Sequence, residues 1–333
     1  MIESALKADL DGFVACVGDN CLDVAVGPDG ESSGMAGGNA FNVALALALA
    51  GHRSAYFGAV GSDPAGRVIA EAALAAGVDS SGLVRLDGPT GLTLVGHDAD
   101  GERHFISEDY GVAADYRLDA MRVSQLAAAR WLHFARQPDL ADWHRELRAQ
   151  GAVISCDLGY EQGLGELERL APAVDLAFLS DSAGGGLDAE QLIERALRAG
   201  IGTVVVTRGA AGSLAATATA RWNVEAVTVE SVVDTLGAGD AYIAAFIAAR
   251  VGRQEIPAAM RAGARAGAEV CMRWGPISAS GAIQVSSLGV DAGTELGAGP
   301  GVKPGRAGGA EPEAPAGVDP DSAADRDAGV PMS

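Results

Sequence analysis

The chain is poor in the residues that build disulfide-tied or metal-tied scaffolds. Its 333 residues include four cysteines and five histidines. None of Cys16, Cys21, Cys156 and Cys271 forms a Cys-x-x-Cys pair, so neither a zinc site nor a disulfide framework is expected. Scattered thiols among apolar neighbours fit buried residues in a reducing cytosol. Basic residues are also scarce, with 24 Lys and Arg against 44 Asp and Glu and a formal net charge of −20. A surface of that sign is repelled by nucleic-acid backbones and anionic membranes, so neither is an expected partner. It leaves room for a small phosphate-bearing ligand, because backbone N–H groups and a metal build an anion site locally. Long apolar runs are missing: the alanine-rich stretch 43–50 is too short to cross a bilayer. Residues 1–12 carry acids where a secretory signal would be apolar. A cytoplasmic protein is expected.

What the sequence does have is alternation. Apolar residues make up 48% of the chain, enough for a sizeable core in one large α/β domain with a small appendage. Short apolar runs read as strands over 13–17, 54–60, 152–156, 176–179 and 203–207. Helical patterns read over 38–50, 65–76, 188–199, 237–249 and 258–272, three of them closed by Gly51, Gly77 and Gly200. Such alternation indicates βαβ units and a parallel sheet, whose ligands bind at the carboxyl ends of the strands. Residues 21–26 and 92–106 break the rhythm. They read as strands without a helix between, the second carrying the turn signal Asp98-Ala-Asp-Gly101, and predict a small antiparallel flap. The last stretch, 289–333, is dense in Gly, Ala, Pro and Asp and is expected to be disordered, because it has too little apolar surface to offset its ordering entropy. The ordered domain is expected over 13–285.

The most informative segment is Asp234-Thr-Leu-Gly-Ala-Gly-Asp240, which opens the 237–249 helix behind a strand-like stretch at 227–233. Gly237 and Gly239 remove Cβ atoms where a phosphate would approach the backbone. The first N–H groups of a helix lack internal partners, and its dipole favours negative charge. Asp240, in the first turn, is held where a carboxylate can take a proton from an attacking hydroxyl. The same spacing also describes an ordinary capped helix, with Asp234 or Thr235 as the cap.

Asp234-Thr-Leu-Gly-Ala-Gly-Asp240 resembles the carboxyl-terminal signature of the ribokinase-like (PfkB) carbohydrate kinases. Gly37-Gly-Asn-Ala-Phe-Asn42 resembles that family's amino-terminal signature, about two hundred residues upstream in the expected order. The resemblance implies a three-layer α/β sandwich, with a mostly parallel central sheet flanked by helices and a small β lid formed from about 21–36 and 91–107. It implies transfer of the γ-phosphate of ATP, with Mg2+ and a possible monovalent cation, to a sugar hydroxyl. Asp240 would be the base, and Gly237, Ala238 and Gly239 the anion hole. Asp23, Gly38, Asn42 and Arg103 would bind the substrate. Thr207, Gly209, Gly212, Asp234 and Thr235 would bind the nucleotide. The flap resembles the family's lid, which places Arg103 and Glu108-Asp109-Tyr110 near the substrate mouth and makes a homodimer through the lid an expectation. No metal ligand is assigned.

One departure stands out. Many family members carry Asn-x-x-Glu after the strand at 176–179, where this chain has Ser180-Asp-Ser-Ala183. That serine, Gly18-Asp-Asn-Cys-Leu-Asp23 and the short lid are similar to the fructoselysine 6-kinase branch, whose substrate is a sugar bearing an amine-linked amino acid. Acidic Glu108 and Asp109 would suit a cationic substrate. Two alternatives stay open: a nucleoside kinase of the same fold, for which Phe41 and Tyr110 would offer stacking, and a catalytically silent ligand-binding member, motivated by the altered 180–183 stretch. A dinucleotide-binding dehydrogenase fails on position, because no Gly-x-Gly-x-x-Gly follows the first strand.

Overall fold

Runs such as Thr203-Val-Val-Val-Thr207 have side chains branched at Cβ and no charge, which suits strands buried on both faces. The computed structural model describes residues 12–26, 32–97, 103–136, 140–149, 151–159, 163–273, 275, 277 and 283–284. The strands of the larger sheet are β1 (Phe13–Gly18), β4 (Ser54–Val60), β5 (Asp79–Arg85), β8 (Ala129–Ala135), β9 (Val153–Asp157), β10 (Leu176–Ser180), β11 (Thr203–Thr207), β12 (Ser213–Ala216) and β13 (Arg221–Val224). The smaller sheet takes β2 (Cys21–Val26), β3 (Ser32–Gly37), β6 (Thr90–His97), β7 (Arg103–Gly111) and β14 (Ile283–Gln284). The α-helices are α1 (Asn39–Leu49), α2 (Pro64–Ala76), α3 (Ala120–Leu126), α4 (Leu140–Ala149), α5 (Gly163–Leu170), α6 (Ala189–Ala199), α7 (Ala238–Val251) and α8 (Ile256–Cys271).

The larger sheet runs β13-β12-β11-β10-β9-β8-β1-β4-β5 among the described residues. Every pairing from β11 to β5 is parallel, and only the β11-β12-β13 end is antiparallel. Side chains alternate across it as a strand's period of two requires. Val14 and Cys16 of β1 enter one core with Phe41 and Leu45 of α1 and Phe246 and Ile247 of α7. Ala15 and Val17 enter the other with Leu126 of α3, Leu147 of α4 and Leu192 of α6. The result is a three-layer α/β sandwich. No described helix is long and apolar enough to cross a membrane.

The smaller sheet has the order β14-β3-β2-β6-β7. It is mixed, where a purely antiparallel flap was expected: β2 pairs with β6 in parallel, because α1, β4, α2 and β5 intervene between them in the chain. Asp63 fixes the base of β6. Its carboxylate accepts from Gly66 N at the start of α2 (2.8 Å) and from Thr90 N (2.7 Å).

The stretch 227–233 is not a strand. Val227, Val232 and Val233 are exposed, the segment joins neither sheet among the described residues, and the N–H groups of Val233 and Asp234 turn instead to Cys271 O at the end of α8. Strands β5, β8, β12 and β13 and helices α3 to α5 also lie outside the elements expected from sequence. The 98–101 turn and the 289–333 tail lie outside the described residues.

Candidate active site

The carboxyl ends of adjacent parallel strands carry the polar residues. Asp19 and Asn20 follow β1, Arg136 follows β8, Asp157 ends β9, Ser180 ends β10 and Thr207 ends β11. This is where a parallel sheet leaves a crevice open to ligands.

Helix α1 begins on Gly38, whose φ of 109° and tight packing against Asn20 leave no space for a side chain. Gly38 has no side chain to cap the helix, so the cap comes from another element. The Asp19 carboxylate accepts from Asn39 N (3.0 Å) and Ala40 N (3.1 Å), satisfying the first donors and complementing the helix dipole. Asn39 in turn donates from Nδ2 to Asp157 Oδ2 at 3.3 Å. One turn on, Asn42 is buried and donates from Nδ2 to Asp240 Oδ2 at 2.8 Å. Asn42 Oδ1 has no hydrogen-bond partner among the described residues. A buried acceptor left that way costs free energy unless a ligand supplies the donor.

Asp240 sits in the first turn of α7, behind Gly237, which takes the left-handed φ of 77°. Burial holds its carboxyl well above the usual range. The Asn42 hydrogen bond opposes that rise, and the charges of Asp157, Asp19 and Asp23 add to it. Ala238 N turns back to Thr235 O at 3.2 Å, so the first-turn donors that face outward are those of Gly239 and Asp240. A Cβ built on Gly239 would meet nothing within 4 Å. That leaves open space beside first-turn N–H groups, the type of donor that anions favour at a helix start.

Asp23, on β2, is buried and accepts from Cys21 Sγ at 3.2 Å. Gly37 packs so closely against it that any Cβ there would overlap the carboxylate. Arg103 pairs in register with His97 near the far end of the β6–β7 hairpin, roughly 17 Å of strand from Leu92 at about 3.4 Å per residue. Its side chain lies outside the described residues.

On the other side of α7, Thr207 Oγ1 donates to Leu179 O at 3.3 Å. The loop after it closes through Arg208 N to Gly212 O (2.8 Å), with Gly209 and Gly212 at positive φ. Arg208 braces the loop by donating to Ala211 O and Asn223 Oδ1, both at 2.8 Å. Tyr242 of α7 donates to Ser213 at 2.9 Å, which sets this loop beside the helix that carries Asp240. Asp234 is buried, and its carboxylate accepts from Leu236 N (2.8 Å) and Gly275 N (2.9 Å). It shapes the turn, while Thr235 is exposed. At the departure from the expected motif, Ser180 and Ser182 share a hydrogen bond of 2.8 Å and Asp181 is exposed.

Three polar residues of this crevice escaped the sequence reading: Asp19, Arg136 and Asp157. Asp19 and Asp157 stand at the carboxyl ends of strands read from sequence, where the strand-end rule points, whereas β8, which precedes Arg136, carries Arg130 and His133 and was not read as a strand. Asp157 is buried, and that burial pushes its carboxyl up to about 6, against the hydrogen bond from Gly159 N.

Residues 15–282 match the family model for pfkB family carbohydrate kinases. The chain belongs to the pfkB family. It is a carbohydrate kinase, and the family's chemistry uses ATP. The chain is 33% identical over 252 residues to the fructoselysine 6-kinase of Shigella flexneri, covering 75% of this chain and 94% of the relative. It is 30% identical over 263 residues to the fructosamine kinase FrlD of Bacillus subtilis, covering 78% and 90%. Among solved structures, the Arabidopsis thaliana ribokinase complexed with ribose and ATP superposes with a TM-score of 0.71. It is 22% identical, over 80% of this chain and 94% of the other.

Proposed function

We propose that the chain transfers the γ-phosphate of Mg·ATP to a hydroxyl of an amine-bearing ketose of the fructosamine class, with Asp240 as the base. The observation that carries this reading is the Asn42–Asp240 pair, set beside the first-turn N–H groups of α7 and the open space at Gly239. The hydroxyl would lie against Asp240, with Asn42 Oδ1, Gly38 and Asp23 orienting the sugar. Asp240 takes the proton as the hydroxyl attacks. The N–H groups at the start of α7, held in place by the Gly237–Gly239 turn, stabilise charge on the transferring phosphoryl group. Thr207, Gly209 and Gly212 line the nucleotide side, while Asp234 and Thr235 set the turn between the two. Burial raises the Asp240 carboxyl, which makes its carboxylate a stronger base than an exposed aspartate.

Among the described residues, no group of three or more His, Cys, Asp or Glu is placed to hold a metal ion. That fits Mg2+ arriving on the nucleotide phosphates, with few protein ligands and several waters. Bound there, the ion neutralises phosphate charge. Asp181, exposed and next in the chain to Ser180, which pairs with Thr207, is a candidate for an outer contact. The acidic lid residues Glu108 and Asp109 suit a cationic substrate. The unpaired cysteines suit a reducing cytoplasm, and the lid edges offer a surface for a homodimer.

ADP release with Mg·ATP, measured across fructoselysine, other Amadori sugars, simple ketoses and aldoses, and nucleosides, tests the reading. Turnover strongest on an Amadori sugar is expected. Preference for a nucleoside, or silence across the panel with ATP bound, overturns it.

A further inference from the structure

Arg136 lies where the body of the enzyme meets its lid. It follows β8 directly and holds φ at 50°, a left-handed backbone that a long side chain seldom adopts. That turn carries the guanidinium between two carboxylates on different parts of the fold. Nε stands 3.8 Å from Oδ2 of Asp19, and Nη2 stands 3.6 Å from Oε1 of Glu108 on β7. The guanidinium also lies over the Tyr110 ring, with Cζ 4.6 Å from its centroid, and the Tyr110 hydroxyl donates to the Glu108 carboxylate. Two lid residues therefore clasp one body residue through its planar face and its charge, the two modes that arginine combines and lysine does not.

The body side of this contact matters as much as the lid side. Asp19, which Arg136 faces, is the carboxylate that caps α1 through Asn39 N and Ala40 N. Helix α1 carries Asn42, and Asn42 holds Asp240. A contact that moves Asp19 thus moves the start of the helix on which the acceptor site is built.

We propose that Arg136 is a positioning residue that couples docking of the lid to the set of the α1 N-terminus. In this way phosphoryl transfer is directed to sugar and water is kept from the γ-phosphate. The inference rests on the kinase reading above. Lids that close over a reacting phosphate exclude water and complete the site, and here the closing contact and the acceptor site share one carboxylate. Glu108 is partly exposed at 42%, whereas Arg136 is 16% exposed, so the contact is open to solvent on the lid side and enclosed on the body side.

The test measures sugar-dependent and sugar-free ADP release for the parent, Arg136→Ala, Arg136→Lys, Glu108→Gln and Tyr110→Phe. Arg136→Ala is expected to raise the sugar KM roughly tenfold, as expected for loss of one charged pair and one cation–π contact. It should also raise sugar-free hydrolysis relative to sugar phosphorylation by several-fold. Arg136→Lys should recover part of both effects. Glu108→Gln should move both readouts in the same direction, and the Arg136→Ala/Glu108→Gln pair should fall short of additivity. Backbone amide exchange of β7 should accelerate in Arg136→Ala, a readout that does not need turnover. If Arg136→Ala does not fold, Glu108→Gln and Tyr110→Phe decide the question. KM, sugar-free hydrolysis and β7 exchange all within twofold of the parent in folded variants would overturn the proposal. A parent without sugar-dependent ADP release would instead count against the kinase reading, with the exchange experiment still deciding whether Arg136 docks the lid.

Discussion

Asn42 Nδ2 donates to Asp240 Oδ2 at 2.8 Å, joining side chains 198 positions apart in the chain. The bond brings the two motifs of the sequence together, one opening α1 and the other opening α7. It also orients the proposed base: one carboxylate oxygen accepts from Asn42, and the other would be the one to face an acceptor hydroxyl. Removing the carboxylate's basicity while keeping its shape isolates the chemical role. Asp240→Asn should lower sugar-dependent ADP release by about two to four orders of magnitude and leave ATP affinity, measured by calorimetry, within a few-fold. A variant with near-normal turnover would remove Asp240 from the mechanism.

The amide has its own signature in the pH profile. Its hydrogen bond lowers the Asp240 pKa against burial and the neighbouring charges of Asp157, Asp19 and Asp23. Without it the carboxyl titrates higher still, and less of it is ionised at a given pH. The acid limb of kcat/KM for Asn42→Ala should therefore move to higher pH, with part of the lost rate recovered on raising the pH. A limb that stays in place while kcat/KM falls uniformly would show that Asn42 serves the sugar alone.

Gly237 and Gly239 separate folding from catalysis. Gly237 holds a left-handed φ of 77° at the helix start, so Gly237→Ala strains the backbone, at a cost of about 1 kcal/mol. It should lower Tm by about 2 °C, because a domain this large has a large unfolding entropy. At Gly239 an added Cβ meets nothing, and alanine is the better helix former. Gly239→Ala should therefore be as stable as the parent or more so, yet bind ATP more weakly or turn over more slowly if a phosphate approaches the backbone there as proposed. Unchanged kinetics in Gly239→Ala would show that no phosphate approaches there.

Much of the layered architecture could be read directly from the chain. Runs such as 203–207 and 54–60 carry no charge and are mostly apolar, and helices closed by Gly77 and Gly200 carry their stop signals locally. What escaped reading depends on tertiary context. β12 and β13 are four-residue strands, too short for periodicity to register. The valines at 227–233 suggested a strand by propensity, but propensity reflects packing, and Val227, Val232 and Val233 are exposed. The site divided in the same way. Asp23, Gly38, Asn42 and Asp240 stand in motifs that show themselves locally, whereas Asp19, Arg136 and Asp157 acquire meaning only once β1, β8 and β9 lie side by side. The parallel pairing of β2 with β6 likewise depends on a crossover that no local pattern records.

Asp157 offers a test in which stability and function oppose each other. It is buried at the end of β9, facing Asn39, Asp19 and Arg136, and its carboxyl is pushed from 3.8 to about 6, chiefly by burial. The folded-state value lies above the unfolded one, so folding takes up a proton between about pH 4 and 6. The contribution of this group to stability is full below about 4 and is lost as pH rises through 6, where an ionised carboxylate is held in the protein interior. Asp157→Asn removes that charge. Relative to the parent it should be more stable by about 1–3 kcal/mol at pH 8, a ceiling set by the size of the shift. The advantage should shrink through pH 6 and vanish near pH 4. Denaturant unfolding of both proteins at pH 4, 6 and 8 measures the difference directly. A stability difference that is flat with pH would mean that Asp157 is solvated as an ordinary surface acid. A difference that follows the predicted slope, together with reduced turnover, would show that the crevice retains a destabilising charge because the acceptor site needs it.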